Sequence, residues 1–100
     1  MALEFKKIEA IKFGDVVVEP KVDVETRLRL QTTKLSNVQE IADAIDLIAS
    51  CCGDKADDVK KFIEENLGVV DIARIQAYLA GGKTLLDAID KKIVEEGAEL

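Results

Sequence analysis

SNVQEIADAIDLIASCCG, residues 36–53, carries the strongest structural signal in this chain. Ser36 and Gln39 have the spacing of a capping box, in which two side chains satisfy the exposed N–H groups at the start of a helix. Apolar residues then recur every three or four positions, on one helical face: Val38, Ile41, Ile45, Ile48 and Cys52. Gly53 is a typical helix terminator. The stretch therefore predicts an amphipathic helix.

The same periodicity predicts three further helices after this one. The first begins at Asp54 and ends near Gly68, the second runs from about residue 70 to 80, and the third is capped by Thr84. Gly81 and Gly82 separate the last two. The residues expected to face inward are Val59, Phe62, Ile63, Ile72, Ile75, Leu79, Leu85, Leu86, Ile89 and Ile93. Because the linkers are short, neighbouring helices should pack antiparallel.

The first twenty residues have a different character. Residues 3–18 are rich in β-prone side chains, and Gly14-Asp15 interrupts them before three consecutive valines. Glycine followed by aspartate between such runs favours a turn, and Pro20 ends the segment. A short β-hairpin is therefore expected here.

Residues 22–32 carry two conflicting patterns. Apolar and polar residues alternate strictly, which is typical of a strand. Asp23, however, is a good N-cap, and Val24, Leu28 and Leu35 would share one face of a helix. The residues alone leave both possibilities open. The prediction is thus a mainly α (α+β) fold, with an N-terminal hairpin and a compact bundle of four to five amphipathic helices. One domain is expected over residues 1–100, β-rich in 1–20 and helical in 23–96.

The composition limits the functions that this chain can have. Twenty acidic and 14 basic residues give a net charge of −6, which repels nucleic-acid phosphates. Histidine, the usual base beside a nucleophile, is absent, and Cys51 and Cys52 cannot complete a four-ligand zinc site. The two cysteines are expected to be buried, as free thiols often are. Gly82-Lys83-Thr84 matches only the end of a phosphate-binding loop, because Ala77 stands where that motif needs glycine.

These observations predict a protein without catalytic, cofactor-binding or metal-binding residues. No apolar run is long enough to cross a membrane, and the first residues lack a signal-peptide pattern. We therefore expect a soluble, cytoplasmic protein that is not an enzyme and binds neither nucleic acid nor membranes. Carboxylate or Cys51 chemistry is an alternative hypothesis that no constellation of residues supports.

Two groups of residues are candidates for binding other proteins. The first is apolar and not obviously needed by the helical core: Val16, Val17, Val18, Leu28 and Leu30. The second is an acidic stripe, Glu40, Asp43 and Asp46, spaced by three residues opposite the apolar face of its helix. A solvated helix face explains such a stripe, and so does a docking site for a basic partner.

The order of these segments resembles the tail assembly chaperones of long-tailed bacteriophages and prophages. The resemblance rests on a short acidic chain that opens with a β-rich segment and continues with VQEIADAIDLI (38–48), DVKKFIEENL (58–67) and IARIQAYL (72–79). It favours a helix over residues 22–32. It implies a non-enzymatic protein of the bacterial host cytoplasm that binds tape measure protein and tail tube subunits during tail morphogenesis. It is also compatible with formation of a homo-oligomer. The alternative is a bacterial regulatory or structural interaction module with another partner.

Overall fold

A short hairpin precedes the helices in the computed structural model, which describes residues 10–97 and the side chains of residues 10–92. The hairpin strands are β1 (Ile11–Phe13) and β2 (Val16–Val18). Then come α1 (Val24–Thr32), α2 (Val38–Ser50), one 3₁₀ turn (Gly53–Lys55), α3 (Ala56–Asn66) and α4 (Val69–Gly97). The predicted fold class is confirmed. The predicted extended segment before Ala10 and the predicted inward side chain of Ile93 lie outside the described residues.

The hairpin is antiparallel and is closed by a two-residue turn at Gly14-Asp15. Phe13 pairs with Val16 at the turn. Gly14 has φ 61° while no described non-glycine residue has positive φ, which is the combination found in a type II′ turn. A Cβ on Gly14 would lie 2.9 Å from the ring of Phe62, so glycine is needed here for space as well. The turn thereby seats the hairpin against α3.

The ambiguous segment is a helix, so the strand alternative is wrong. Asp23 Oδ1 accepts a hydrogen bond from Thr26 N at 2.7 Å and caps α1. Glu25 and Arg29, one turn apart, form a 2.7 Å ion pair along the helix surface. In a strand these two side chains would not meet, so the cap and the i, i+4 pair both act in favour of the helix.

The start of α2 differs from the prediction by one residue. Asn37, not Ser36, is the N-cap: its Oδ1 accepts from Glu40 N at 2.9 Å, and its Nδ2 donates to Glu40 Oε1 at 3.0 Å. The cap is thus shifted by one residue, because asparagine caps as well as serine, and the return bond from Glu40 goes to the side-chain amide of Asn37 instead of the backbone N–H that a capping box uses. Val38 was expected to face the core but is 84% exposed, since it is the first helical residue and lies at the open end of the helix.

The end of α2 holds the two cysteines. Both are free and buried, as expected. Cys51 Sγ donates to Leu47 O and Cys52 Sγ to Ile48 O, each at 3.3 Å. Cys51 O also accepts from Lys21 N at 2.9 Å, which ties the segment after the hairpin to this helix end. The cysteines therefore fill the junction between the hairpin and the bundle.

Helix α4 is broken at Gly82, where two helices meet without a loop. Gly82 has φ 72° and ψ −163°, and the helix resumes at once at Lys83. Thr84 is therefore inside a helix and is not the N-cap that was predicted. Arg74 and Asp90 lie eight residues on either side of the break, yet Arg74 Nε reaches Asp90 Oδ1 at 2.7 Å. In a straight helix they would be about 24 Å apart, so the two arms fold back toward each other.

The core lies where α2, α3 and the first arm of α4 meet the hairpin. Its most completely buried large side chains are Val59, Ile63, Ile48 and Leu79, all placed inward by the sequence periodicity. α1 packs against α4 and α2. Phe13 of the hairpin meets Phe62 of α3 edge to face, with ring centroids 6.1 Å apart.

Candidate protein-binding surfaces

A surface depression lies between α1 and α2. This α1–α2 cleft has a volume of about 580 Å³. One wall comes from α1 and the residue after it: Glu25, Thr26, Arg29, Thr32 and Thr33. The other comes from α2: Asp43, Asp46, Leu47 and Ser50. The helical spacing on both sides turns polar faces toward each other, with the aliphatic side chain of Leu47 among them.

Two residues of the predicted acidic stripe line this cleft. Asp43 and Asp46 are exposed on its α2 wall, whereas Glu40 is half-buried and bonded to Asn37. Asp46 pairs with Lys60 of α3 at 2.9 Å, and this hydrogen bond raises the pKa of Lys60. Asp43 receives a neutral hydrogen bond from Gln39 Nε2 at 3.0 Å. Among the residues whose side chains are described, none forms an ion pair with Asp43, so of the two stripe residues in the cleft Asp43 is the one open to a cationic partner.

The predicted apolar group is only partly at the surface. Val17 and Leu28 are exposed, at 51% and 56%, and Val16 is half-buried. Val18 and Leu30 are buried at 4% and 3% and belong to the core, so their assignment to a binding surface was wrong. Val18 points to the inner face because side chains alternate along a strand. Leu30 points inward because α1 is a helix that packs on α4 and α2.

One exposed apolar residue of α1 was not among the predicted protein-binding residues. Val24 is among the most exposed large apolar residues and lies one helical turn before Leu28. The sequence had placed Val24 and Leu28 on one face of a possible helix, but only the helical structure shows that both side chains are at the surface. Val24 and Leu28 are thus an apolar edge on the helix that forms one wall of the α1–α2 cleft.

The second depression is more apolar and was not predicted. This β1–α4 groove has a volume of about 400 Å³. Its lining comprises Ala10, Ile11, Lys12, Phe13, Phe62, Leu67, Asp71, Arg74, Ile75, Tyr78 and Leu86. Sequence patterns could not reveal it because the lining residues come from the hairpin, from the end of α3 and from both arms of α4.

Ion pairs close one side of the β1–α4 groove. Arg74 binds Asp90 through two hydrogen bonds, of 2.7 and 3.2 Å, and lies 3.9 Å from Asp71. The hydrogen bond to Asp90 is the main reason that the pKa of Arg74 is raised. These three charges are already partnered, so the apolar lining and Lys12 are the parts of this groove open to a ligand.

The thiols are poorly placed for chemistry. Burial raises the pKa of Cys51, and it raises the pKa of Cys52 to about 11, with a smaller contribution from Cys51. A thiol held in its neutral form is a weak nucleophile. In the described part of the chain, no three His, Cys, Asp or Glu side chains gather where they could hold a metal ion.

Comparison of the chain with protein-family models, with curated proteins and with solved structures finds no match. Within residues 10–97, no helix combines the length and the apolar character needed to cross a membrane.

Proposed function

We propose that this protein is a non-enzymatic tail assembly chaperone of a long-tailed phage or prophage, which binds tape measure protein and tail tube subunits in the bacterial cytoplasm. The proposal combines the resemblance of the segment order with one observation, the α1–α2 cleft. There an acidic wall and an apolar edge lie together on the helices that follow the hairpin.

The cleft suits a partner segment that is both basic and apolar. Asp43 offers a carboxylate without a cationic partner among the described side chains, and Leu28 and Val24 offer apolar area on the facing helix. Acidic charge at such a surface speeds encounter with a basic partner and selects its orientation, while buried apolar area supplies affinity. A chaperone needs both, because it must find an unassembled subunit and cover its apolar surface.

Co-expression with the tape measure protein of the same phage or prophage genome tests the proposal. We expect the wild-type chain to keep the tape measure protein soluble and to co-elute with it. Asp43→Lys should reduce the co-eluting fraction, and the reduction should be larger at low salt because exposed charges are screened at high salt. Glu65→Lys is the matched control, since Glu65 is an exposed acid on α3 outside the cleft lining.

An apolar pair of variants tests the second half of the surface. Leu28→Ser should weaken the complex, whereas Val70→Ser, at a residue of similar exposure on α4, should not. Failure of the wild-type chain to retain either tape measure protein or tail tube subunits would refute the tail role. Unchanged binding by both Asp43→Lys, in the cleft, and Leu28→Ser, on the neighbouring apolar edge of α1, would place the interface elsewhere. Capture of an unrelated bacterial protein through the same cleft would favour the alternative interaction module.

A further inference from the structure

The hairpin has two outer edges, and the pairing register shows which backbone groups they expose. With a two-residue turn, Phe13 and Val16 are the hydrogen-bonded pair that closes the hairpin. Hydrogen-bonded and non-hydrogen-bonded pairs alternate along antiparallel strands. The next pair, Lys12 and Val17, is therefore non-hydrogen-bonded, and the N–H and C=O groups of both residues point away from the hairpin.

The two edges of the hairpin differ in whether their outward backbone groups are hydrogen-bonded. At the β2 edge, Val17 O accepts a hydrogen bond from Lys55 Nζ at 3.1 Å, from a residue 38 positions away. This contact agrees with an outward-pointing Val17 carbonyl. At the β1 edge, neither a backbone group of residues 10–97 nor a side chain of residues 10–92 hydrogen-bonds to the backbone of Lys12. A strand edge of this kind is a template for another strand.

The open edge forms one side of the β1–α4 groove. Four consecutive residues, 10–13, line that groove, as expected where a strand presents its backbone edge. Ile11 and Phe13 point toward the core side of the hairpin, and Lys12 points to the other side. Across from them are apolar side chains of the helices: Phe62, Leu67, Ile75, Tyr78 and Leu86.

The charge of Lys12 favours an acidic residue in a strand that binds beside β1. Arg74, Asp71 and Asp90 are already joined in ion pairs on the helical side. Lys12 is exposed, and none of the other described side chains forms an ion pair with it. In a strand added beside β1, the residue directly opposite Lys12 would lie on the same face as its ammonium group, where a carboxylate is favoured.

We propose that a partner protein adds an extended segment as a third strand at the β1 edge. The segment has an apolar–acidic–apolar pattern: its backbone bonds to Lys12 N–H and C=O, its acidic side chain faces Lys12, and its apolar side chains enter the groove. Three residues are sufficient to run alongside β1, because a strand rises about 3.3 Å per residue. This is recognition by β-augmentation, and it is independent of the proposed tail role and of the α1–α2 cleft.

A synthetic peptide supplies the probe. The peptide acetyl-GTVEVTG-amide, titrated into the full-length ¹⁵N-labelled protein, should shift the amide resonances of Lys12 and of the groove residues Phe62, Tyr78 and Leu86. It should also slow hydrogen exchange at the Lys12 amide. Replacing the central glutamate by proline removes a backbone donor, so this peptide should not bind. Replacing it by lysine should weaken binding about twofold to fivefold, the range for one exposed charge pair.

Variants of the protein separate edge pairing from simple apolar binding. Lys12→Pro removes the outward N–H and should abolish binding, while Val17→Pro makes the same change on the β2 edge and should not. Lys12→Glu should reverse the preference and bind the lysine peptide more tightly than the glutamate peptide. Circular dichroism and one-dimensional NMR verify that each variant is folded, and Lys12→Glu keeps the test decisive if Lys12→Pro unfolds.

Several results would overturn the proposal. One is the absence of any resonance shift up to the solubility limit of the peptide. Another is equal binding of the glutamate and proline peptides by wild type, or equal binding by an amphipathic helical peptide. Strand-type contacts of Lys12 with another part of the same chain, or with a second copy in a dimer, would show that the edge is already occupied in the free protein.

Discussion

Replacing Gly82 by alanine should destabilise this protein through backbone strain alone. An added Cβ would meet no atom within 4 Å, so no side-chain clash is involved. The conformation at Gly82, with φ 72° and ψ −163°, lies in a region that is essentially restricted to glycine. The structure therefore isolates one physical cause, the backbone preference of an L-residue.

The expected magnitude follows from two opposing effects. Holding alanine in this region costs about 1–3 kcal/mol. Alanine also has less conformational freedom than glycine in the unfolded chain, and this difference stabilises the folded state by about 0.4–1 kcal/mol. We expect a net loss of about 1–2 kcal/mol in the free energy of unfolding. For a chain of this size the midpoint of thermal unfolding, Tm, should fall by about 4–16 °C.

Urea and thermal unfolding followed by circular dichroism measure this loss. Gly68→Ala is the matched control: Gly68 does not have positive φ, and an added Cβ there also meets nothing within 4 Å. Gly68 directly precedes α4 and is its N-cap residue. Alanine is a weaker N-cap than glycine but also lowers the entropy of the unfolded chain, so the two effects on the free energy of unfolding should cancel to within about 0.5 kcal/mol. Equal stability of Gly82→Ala and wild type would refute the reasoning, because it would mean that α4 runs straight through residue 82 in solution. The Arg74–Asp90 ion pair could not then exist.

Three further predictions concern the core, a helix cap and the thiols. Ile63→Ala, at a fully buried site, should cost about 2–5 kcal/mol in urea unfolding, whereas Val38→Ala at an exposed site should change stability by less than about 0.5 kcal/mol. The capping hydrogen bonds lower the pKa of Asp23, so the stability that its carboxylate contributes is present above the ordinary aspartate pKa and is lost as the pH falls through the lower folded value. Asp23→Ala should therefore reduce Tm at pH 7, and the reduction should become smaller as the pH is lowered toward 2. Burial raises the pKa of Cys52 to about 11, so at pH 8 both Cys51 and Cys52 should react with a disulfide reagent only as fast as the protein opens, and at once in denaturant. Rapid labelling of the folded protein would contradict their burial.

Periodicity in the sequence determined where the helices are and which side of each faces the core. Ile45, Ile48, Val59, Ile63 and Leu79 follow spacings of three and four, and all five are buried. This succeeds because a helix repeats every 3.6 residues whatever it packs against. The turn at Gly14-Asp15 was also readable, since it depends on the conformational freedom of a single residue.

Local patterns failed where two signals were compatible with the same residues. The alternation in residues 22–32 was equally consistent with a strand, and Leu30 was assigned to the surface because the helical core did not obviously need it. The cap of α2 was placed at Ser36, although Asn37 provides the same hydrogen-bonding group one residue later. In both cases only the three-dimensional packing of the segment decides, because the competing local preferences differ by a few tenths of a kcal/mol to about 1 kcal/mol.

The two candidate surfaces depend on tertiary structure to different degrees. Glu40, Asp43 and Asp46 were recognisable as one stripe because they share a helix, but only the packing of α1 against α2 turns Asp43 and Asp46 into a cleft wall. The β1–α4 groove could not be found from the sequence at all. Its wall residues are brought together by the reversal of α4 at Gly82 and by the contact of Phe13 with Phe62. Such contacts join segments that are distant in the chain, and they produce no periodic pattern in the sequence.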